Sequence, residues 1–402
     1  MKMMRTVIFF LMMLSLWPSL GRAGMPDPAK AEEFRARDGL PNLFAKINQG
    51  KTVRIAYLGG SITAASGWRV KTLAWFKSAY PQAEFEEINA AISGTGSDFS
   101  ACRLEDDVLS HNPDLVFLEC RVNGADGVPW ESVEGIVRHT WREFPQADIC
   151  FVYTINQSML PQIQDGKNVA FGEIMEQIAN RYGIPSIDLG VEVARREKEG
   201  RLTFKADARE PGKLWFTKDG VHPLDDGHQL YCNIIAQSLR KIEGIAGWKD
   251  HLLGEPIRPD CWENASLLSL NAATLSDGWI PVDMQTDPVY REETVRTRKM
   301  LRDAVRSSKA GETITVNWTG TTIAFTDIPT VGPTTVEVVV DGQHRSTFVR
   351  EPREYNGAIK QTLSQHFRLP ILPSGDHEAV LTVTELPEKG VYYAGQVMVV
   401  GE

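Results

Sequence analysis

The sequence predicts an α/β protein in which a doubly wound, parallel five-stranded sheet is followed by a C-terminal antiparallel β-sandwich. The first observation is a regular alternation between residues 52 and 242, where short apolar runs recur about thirty residues apart with helical patterns between them. The second is a change near residue 246, after which helical periodicity largely stops and short β-rich runs follow. Strands that alternate with helices indicate a parallel sheet covered on both faces, and closely spaced short strands indicate a sandwich.

The predicted strands of the first region are rich in Val, Ile, Leu and Phe. They are Thr52–Leu58, Glu84–Ala90, Asp114–Cys120, Asp148–Ile155 and Pro185–Leu189. The predicted helices are Trp68–Ala79, Ala101–His111, Ser132–Phe144, Val169–Arg181 and one that starts after Asp225 and Asp226, either of which could cap it. Apolar residues of that last helix share one face, so we expect it to pack against the sheet.

The second region contains seven β-rich runs and one charged, helical stretch around Arg291 to Arg306. The runs are Thr313–Trp318, Thr321–Thr326, Thr335–Val340, Thr347–Arg350, Gln361–Leu369, Glu378–Thr384 and Tyr392–Val400. Turn signals such as Asp341-Gly342 and Ser374-Gly375 separate them. This pattern predicts a β-sandwich of about 150 residues.

The N-terminus has the layout of a cleavable export signal. Lys2 and Arg5 precede an almost wholly apolar run from Thr6 to Trp17, and small residues follow up to Ala23. Cleavage is favoured over a retained membrane anchor because the run is short for a bilayer span. A polar, helix-prone leader follows around Ala29 to Arg37. We therefore divide the chain into a signal peptide (1–23), a leader segment (24–50), an α/β domain (51–245) and an accessory β-sandwich (246–402), in a periplasmic or extracellular protein.

Composition excludes several classes of protein. The chain has 402 residues, 42% of them hydrophobic, which is ample for real cores and excludes a disordered chain. Its formal net charge of -9 disfavours a nucleic-acid partner, since phosphate binding needs a basic surface. After cleavage of the signal we expect no membrane association, and the oligomeric state stays open. The five cysteines form no C-x-x-C pair, and Cys102, Cys120, Cys150 and Cys232 sit in apolar patterns that predict buried, reduced thiols.

Three loops at predicted strand ends, and one motif downstream, carry the residues that can do chemistry. The first loop contains Gly59-Gly60-Ser61, the second runs from Asn89 to Ser97 and includes Gly94, and the third contains Arg121-Val122-Asn123-Gly124. Downstream, Asp219 stands three residues before His222, where a carboxylate can orient an imidazole. Each motif alone is also compatible with an ordinary turn or capping pair. Together, at strand ends of a doubly wound sheet, they supply the nucleophile, base, orienting acid and polar donors required for acyl transfer.

These residues resemble the SGNH (GDSL-type) hydrolases, in a Gly-Gly-Ser-Ile-Thr variant, over roughly residues 52–242. The resemblance implies a flavodoxin-like doubly wound catalytic domain, with Ser61 as nucleophile, His222 as general base and Asp219 as the orienting acid. It also implies an oxyanion hole formed by the Gly94 N–H, the Asn123 side-chain amide and the Ser61 N–H. The chain departs from the family pattern at Gly60, Arg121 and Gly124, which affects the subfamily more than the chemistry.

The expected reaction is ester hydrolysis through an acyl-enzyme, with no metal and no other cofactor. Secreted carbohydrate esterases of the resembled family often combine export with an appended sandwich, so we expect an acetylesterase that acts on polysaccharide or oligosaccharide. We expect substrate contacts from Trp68, Arg69, Arg121 and Trp215, although each is also compatible with core or lid packing. A lipid or aryl ester hydrolase (lysophospholipase-like) and a non-catalytic glycan-binding protein on a hydrolase scaffold are the alternatives. The sandwich either binds glycan or braces the enzyme.

Overall fold

The structure, a computed structural model, describes residues 25–291, 295–356, 360–362 and 364–401. The predicted signal peptide at residues 1–23 lies outside this part of the chain. Among the helices of the described ranges, none is both long enough and apolar enough to cross a membrane.

The first region alternates strands and helices, as predicted. Its strands are β1 (Phe34–Arg35), β2 (Thr52–Gly59), β3 (Glu84–Asn89), β4 (Leu115–Glu119), β5 (Asp148–Tyr153), β6 (Ser186–Asp188), β7 (Leu202–Lys205) and β8 (Leu214–Thr217). Its helices are α1 (Pro41–Asn48), α2 (Ser61–Ala64), α3 (Trp68–Ala79), α4 (Ser97–Cys102), α5 (Leu104–Asp107), α6 (Pro129–Glu143), α7 (Leu160–Gln164), α8 (Ala170–Tyr182), α9 (Leu189–Lys198) and α10 (Asp225–Arg240).

The central sheet confirms the predicted doubly wound fold. Its strand order is β1-β6-β5-β4-β2-β3, in which β2 to β6 are parallel. The strand β2 lies between β3 and β4, so the chain moves outward to β3 and then crosses back to β4. This is the topological switch point of the flavodoxin-like arrangement, where the loops after β2 and β4 diverge and leave a crevice at the carboxyl ends of the strands.

Three local expectations were wrong or incomplete. The leader around Ala29 to Arg37 is not helical, because Phe34 and Arg35 pair antiparallel with Ile187 and Ser186 at the sheet edge. The helix expected over Ala101–His111 is broken into α4, α5 and a 3-10 turn, Leu109–His111. Asp225 and Asp226 lie inside the first turn of α10, whose N-cap is Leu224.

The second region confirms the antiparallel β-sandwich. Its strands are β9 (Ala265–Leu268), β10 (Thr274–Leu275), β11 (Ile280–Pro281), β12 (Val305–Ser307), β13 (Thr313–Gly320), β14 (Thr322–Pro329), β15 (Thr334–Val340), β16 (His344–Arg350), β17 (Glu354–Asn356), β18 (Lys360–Thr362), β19 (Gln365–Arg368), β20 (Gly375–Glu385) and β21 (Tyr392–Val400), with helices α11 (Pro288–Arg291) and α12 (Val295–Met300). One sheet has the order β10-β13-β20-β15-β16, and the other has the order β11-β12-β21-β14-β19, with β9 paired to β21. Apolar side chains of both sheets form a separate core between them.

The sandwich packs directly on the α/β region beside the loops after β3 and β4. The helix α4 contacts β9 and β21, and Met398 and Val400 share one apolar core with Phe99. Cations of the second region pair with groups of the first, as in the ion pair between Arg302 and Asp107 and the hydrogen bond from Lys299 Nζ to the Asn89 carbonyl oxygen, 2.8 Å. The domain boundary near residue 246 stays a prediction.

The predicted thiols are reduced and buried. None of the five cysteines forms a disulfide, and Cys102, Cys120, Cys150 and Cys232 are buried as expected. Burial raises the pKa of each of these four thiols above its ordinary value, which makes them poor nucleophiles at neutral pH.

An imidazole of the sandwich stands between two carboxylates of the α/β region. His366 Nε2 lies 2.8 Å from Asp98 Oδ2 and 3.6 Å from Asp126 Oδ2. Burial lowers the pKa of His366, but the hydrogen bonds and charges of Asp126 and Asp98 outweigh it and raise the pKa to about 9. His366 is therefore protonated at neutral pH and joins the two regions by charge.

We expect this junction to weaken in alkaline solution. A histidine whose folded pKa lies above its unfolded value of 6.5 contributes its full stabilisation below that value and loses it as the pH rises through about 9. The melting temperature of His366→Gln should fall furthest below that of the wild type near about pH 6 and approach it above about pH 10. Thermal unfolding across this range tests the prediction, with the exposed His344→Gln as control. A difference that does not change with pH would contradict it.

Candidate active site

The three predicted loops meet at the carboxyl edge of the central sheet. The Ile92 N–H donates to the Gly59 carbonyl oxygen at 3.0 Å, which ties the loop after β3 to the end of β2. The Ser97 N–H donates to the Gly124 carbonyl oxygen at 2.9 Å, which ties the same loop to the one after β4. The switch point therefore brings the loops of Ser61, Gly94 and Asn123 into one crevice.

Ser61 is joined to His222 and Asp219 by two hydrogen bonds in series. Ser61 is the first residue of α2, directly after the tight turn that ends β2. Its Oγ lies 2.8 Å from His222 Nε2, and His222 Nδ1 lies 2.6 Å from Asp219 Oδ2. A hydroxyl, an imidazole and a carboxylate in this order can transfer the hydroxyl proton and stabilise the imidazolium that forms.

The Asp219 carboxylate is held by the turn that also carries His222. Its Oδ1 accepts from the Val221 N–H at 2.9 Å and from the His222 N–H at 2.8 Å. Burial raises the pKa of Asp219, but the hydrogen bonds from the His222 ring and from both backbone amides outweigh it, and the pKa lies below its ordinary value. The carboxylate is therefore ionised at neutral pH, as an orienting acid must be.

The side-chain amide of Asn123 occupies the space beside Gly60. A Cβ added at Gly60 would lie 1.8 Å from Asn123 Oδ1 and 2.6 Å from Asn123 Cγ. Glycine at position 60 therefore leaves the space that the Asn123 side-chain amide occupies in this structure.

Gly94 adopts a backbone conformation that favours glycine. Its φ of +70° lies in the left-handed region, and its N–H finds no acceptor among the described residues. An unpaired backbone donor in a loop at this crevice is what an oxyanion hole requires.

Sequence reasoning missed Glu119, which is fully buried under the nucleophile loop. It accepts from Thr63 Oγ1 at 2.8 Å and from Thr154 Oγ1 at 2.7 Å, and the Gly60 N–H also donates to it. Burial raises the pKa of Glu119 above its ordinary value, against these hydrogen bonds. These bonds hold the turn before Ser61. In the sequence, a charged residue at the end of an otherwise apolar strand could have indicated that Glu119 has such a role.

Three of the four predicted substrate contacts are buried inside the protein, so these predictions were wrong. Trp68 is 0% exposed and packs edge-on against Tyr57 and Phe117. Arg69 pairs with Glu87 and donates to the Thr63 carbonyl oxygen.

The third of these contacts, Arg121, forms a buried double hydrogen bond with Asp188. The Arg121 nitrogens lie 2.5 and 2.7 Å from the Asp188 carboxylate oxygens, and Nε donates to the Thr154 carbonyl oxygen. Asp188 neutralises the buried guanidinium, which would be costly to bury alone. The pair connects the loop after β4 to the end of β6. It is a structural pair rather than a site for a substrate carboxylate.

Trp215 is the one predicted contact that keeps part of its surface exposed. It lies in β8, its Nε1 donates to the Ala206 and Thr217 carbonyl oxygens, and the Lys218 ammonium lies 5.2 Å from its ring centre. A substrate contact at Trp215 stays a prediction.

One group of side chains in the described ranges has the spacing of metal ligands. Ligand atoms of Asp98, Asp126 and His366 lie within 4.8 Å of one another. The same three side chains form the ion-paired junction between the two regions, with His366 Nε2 2.8 Å from Asp98 Oδ2 and 3.6 Å from Asp126 Oδ2.

Comparison with known proteins identifies the first region. Residues 57–230 match the GDSL-like lipase/acylhydrolase family. An arylesterase of Vibrio mimicus is 27% identical over 198 residues, which cover 47% of this chain and 88% of that protein.

Solved structures resemble both regions together. A two-domain esterase active on acetylated mannans superposes with a TM-score of 0.74 at 22% identity, covering 93% of this chain and 98% of that one. Its structure co-crystallised with mannopentaose superposes with a TM-score of 0.71 at 22% identity, covering 89% of this chain and 93% of that one. At this identity the likeness concerns the fold. The α/β region, which carries the match to the GDSL-like lipase/acylhydrolase family over residues 57–230, is a carboxylic ester hydrolase domain.

Proposed function

We propose that this protein is an exported serine esterase that removes O-acetyl groups from a polysaccharide or oligosaccharide through an acyl-enzyme. The observation that carries the proposal is the chain of hydrogen bonds from Ser61 Oγ through the His222 ring to Asp219. Nucleophile, base and orienting acid stand in the order that acyl transfer requires.

The proposed reaction has two halves. His222 Nε2 accepts the Ser61 proton as Oγ attacks the ester carbonyl, and Asp219 stabilises the imidazolium. The N–H groups of Ser61 and Gly94 and the Asn123 amide would then hold the oxyanion. The protonated His222 gives its proton to the leaving sugar oxygen, which departs as a hydroxyl, and the acetyl group stays on Ser61. His222 then deprotonates a water molecule that attacks the acyl carbon, and it returns this proton to Ser61 Oγ as acetate leaves.

The openness of the site supports a polymeric substrate. The side chains of Asp219 and His222 keep 49% and 42% of their surface exposed, so the reacting hydroxyl lies at an accessible surface. An acetyl group on a long chain can reach such a site, whereas a long acyl chain would need an apolar groove to bury its methylenes. Likeness over nearly the whole chain to an esterase active on acetylated mannans supports the same substrate class.

Hydrolysis of aryl esters is the second candidate, since the chain resembles an arylesterase. The discriminating experiment compares acetylated mannan, xylan and pectin fragments with p-nitrophenyl esters of increasing acyl length. We expect acetate release from at least one acetylated glycan without shortening of the glycan chain, and activity on p-nitrophenyl esters that falls steeply beyond short acyl groups. Turnover restricted to aryl esters or to long acyl chains would contradict the glycan assignment, and binding of glycan without any turnover would support a non-catalytic protein.

Export is the remaining part of the proposal. It rests on the basic start, the apolar run and the small residues that end at Ala23. The mass of the mature protein should correspond to a chain that starts near residue 24, and an uncleaved chain recovered in membranes would contradict it.

A further inference from the structure

An arginine of the second region reaches the loop that carries Gly94. Arg296 belongs to α12, and its Nε donates to the Ser93 carbonyl oxygen at 2.7 Å. Its Nη1 donates to Ser364 Oγ at 2.7 Å, and Ser364 is 0% exposed. The guanidinium is thus held by a buried hydroxyl of its own region while it binds a backbone oxygen of the α/β region.

The bonded oxygen belongs to the same peptide unit as the Gly94 N–H. In a trans peptide the C=O and the N–H point in opposite directions from one rigid plane. A donor that fixes the Ser93 oxygen therefore fixes the direction of the Gly94 N–H. Because Gly94 is a glycine at a φ of +70°, its own backbone restrains this plane weakly, and an external anchor has more to contribute.

Charge adds to this geometric effect. A hydrogen bond from a guanidinium is stronger than one from a neutral donor, and it polarises the peptide so that the N–H becomes a better donor. The same side chain passes close to Gly94, since a Cβ added there would lie 3.7 Å from Arg296 Nε. The guanidinium therefore lies on the carbonyl side of the Ser93–Gly94 peptide, opposite the N–H that would face the oxyanion.

We propose that Arg296 is a positioning residue for ester hydrolysis, by which the second region completes the oxyanion hole of the first. This inference rests on the proposed function, because it assumes that the Gly94 N–H stabilises the oxyanion. It gives the region after residue 246 a part in the chemical step itself. The residue acts only through the Ser93–Gly94 peptide and touches no substrate.

The test compares Arg296→Met with Arg302→Met. Both replace an arginine on the same side of the sandwich that bonds to the α/β region, but Arg302 pairs with the carboxylate of Asp107 and not with a loop carbonyl. Removing an oxyanion donor costs about 10²–10³ in rate, so a misaligned one should lower kcat for p-nitrophenyl acetate by about 10- to 10²-fold with little change in KM. Arg302→Met should keep kcat while it loses stability.

Rescue separates positioning from general support of the fold. Arg296→Lys should recover part of kcat, since an ammonium still donates to the Ser93 oxygen, and guanidinium ion added at low concentration should raise kcat of Arg296→Ala. Equal kcat losses in Arg296→Met and Arg302→Met, or a change in KM alone, would overturn the inference. If diethyl p-nitrophenyl phosphate failed to label Ser61 in the wild type, the proposed function would fail instead. Labelling of Ser61 together with full activity of Arg296→Met would overturn only the role of Arg296.

Discussion

Replacement of Ser61 by alanine is expected to lower kcat/KM for p-nitrophenyl acetate by about 10⁴- to 10⁶-fold while the protein stays folded. The loss is large because Oγ is the only protein atom in the proposed mechanism that forms a bond to the acyl carbon. The fold should be retained, since Ser61 is partly exposed and its side chain bonds only to His222 among the described residues. Initial rates and near-UV circular dichroism measure the two effects.

The matched control for this variant lies shortly after α2. Ser66 is an exposed serine five positions on, and Ser66→Ala should hydrolyse the ester as the wild type does. Retained turnover in Ser61→Ala, with contaminating esterase excluded by a parallel preparation of the His222→Ala variant, would remove the serine mechanism altogether.

Introduction of a single methyl group at position 60 is expected to lower kcat by about 10²-fold. The new Cβ of Gly60→Ala would overlap the Asn123 amide, which must move away from Ser61. The φ of Gly60 is −92°, which alanine can adopt, so the main effect should be displacement of a proposed oxyanion donor. The free energy of unfolding should change little, because the displaced group is the end of a flexible side chain. Steady-state kinetics and urea unfolding test both statements.

A double-mutant cycle makes this prediction specific. Asn123→Ala removes the amide, so the combination with Gly60→Ala should be no slower than Asn123→Ala alone, because both changes act on the same donor. Gly244→Ala is the control for an added methyl group, since a Cβ there meets nothing within 4 Å. Additive losses in the double variant would show that Gly60 acts by another route.

Much of the site followed from the sequence because strand ends converge in a parallel sheet. The loops of Ser61, Gly94 and Asn123 were each predicted at the carboxyl end of a parallel strand, which places them at one edge of the sheet. His222 lies 161 positions after Ser61 and follows β8, a strand that was not predicted, so only its motif with Asp219 and the resemblance indicated it. The flavodoxin-like arrangement of the strands came from the resemblance to the SGNH hydrolases. The buried cysteines were predictable from the residues themselves, because they lie in apolar patterns that indicate burial.

The substrate contacts failed because a side chain's type does not reveal what lies opposite it. Arg121 follows a strand in the loop of Asn123 and would suit a carboxylated sugar, but Asp188, 67 positions away, meets it inside the protein. Trp68 begins a helix next to the nucleophile loop and turns inward between two aromatic rings. Asp188 and Phe117 come from other βα units, which a local pattern does not contain.

The sequence by itself determined the alternation that builds the sheet, the sandwich that follows it, and the identity of the serine, histidine and aspartate with which the chemistry is proposed. Those features depend on local periodicity and on short motifs, both of which can be read from the amino-acid sequence alone. Only the tertiary structure decided that Asn123 fills the space left at Gly60, that Glu119 holds the turn before Ser61, and that Arg296 of the second region bonds to the Ser93 carbonyl oxygen. Each of these is a contact between distant segments, and its energy depends on distance and burial that exist only after the chain has folded.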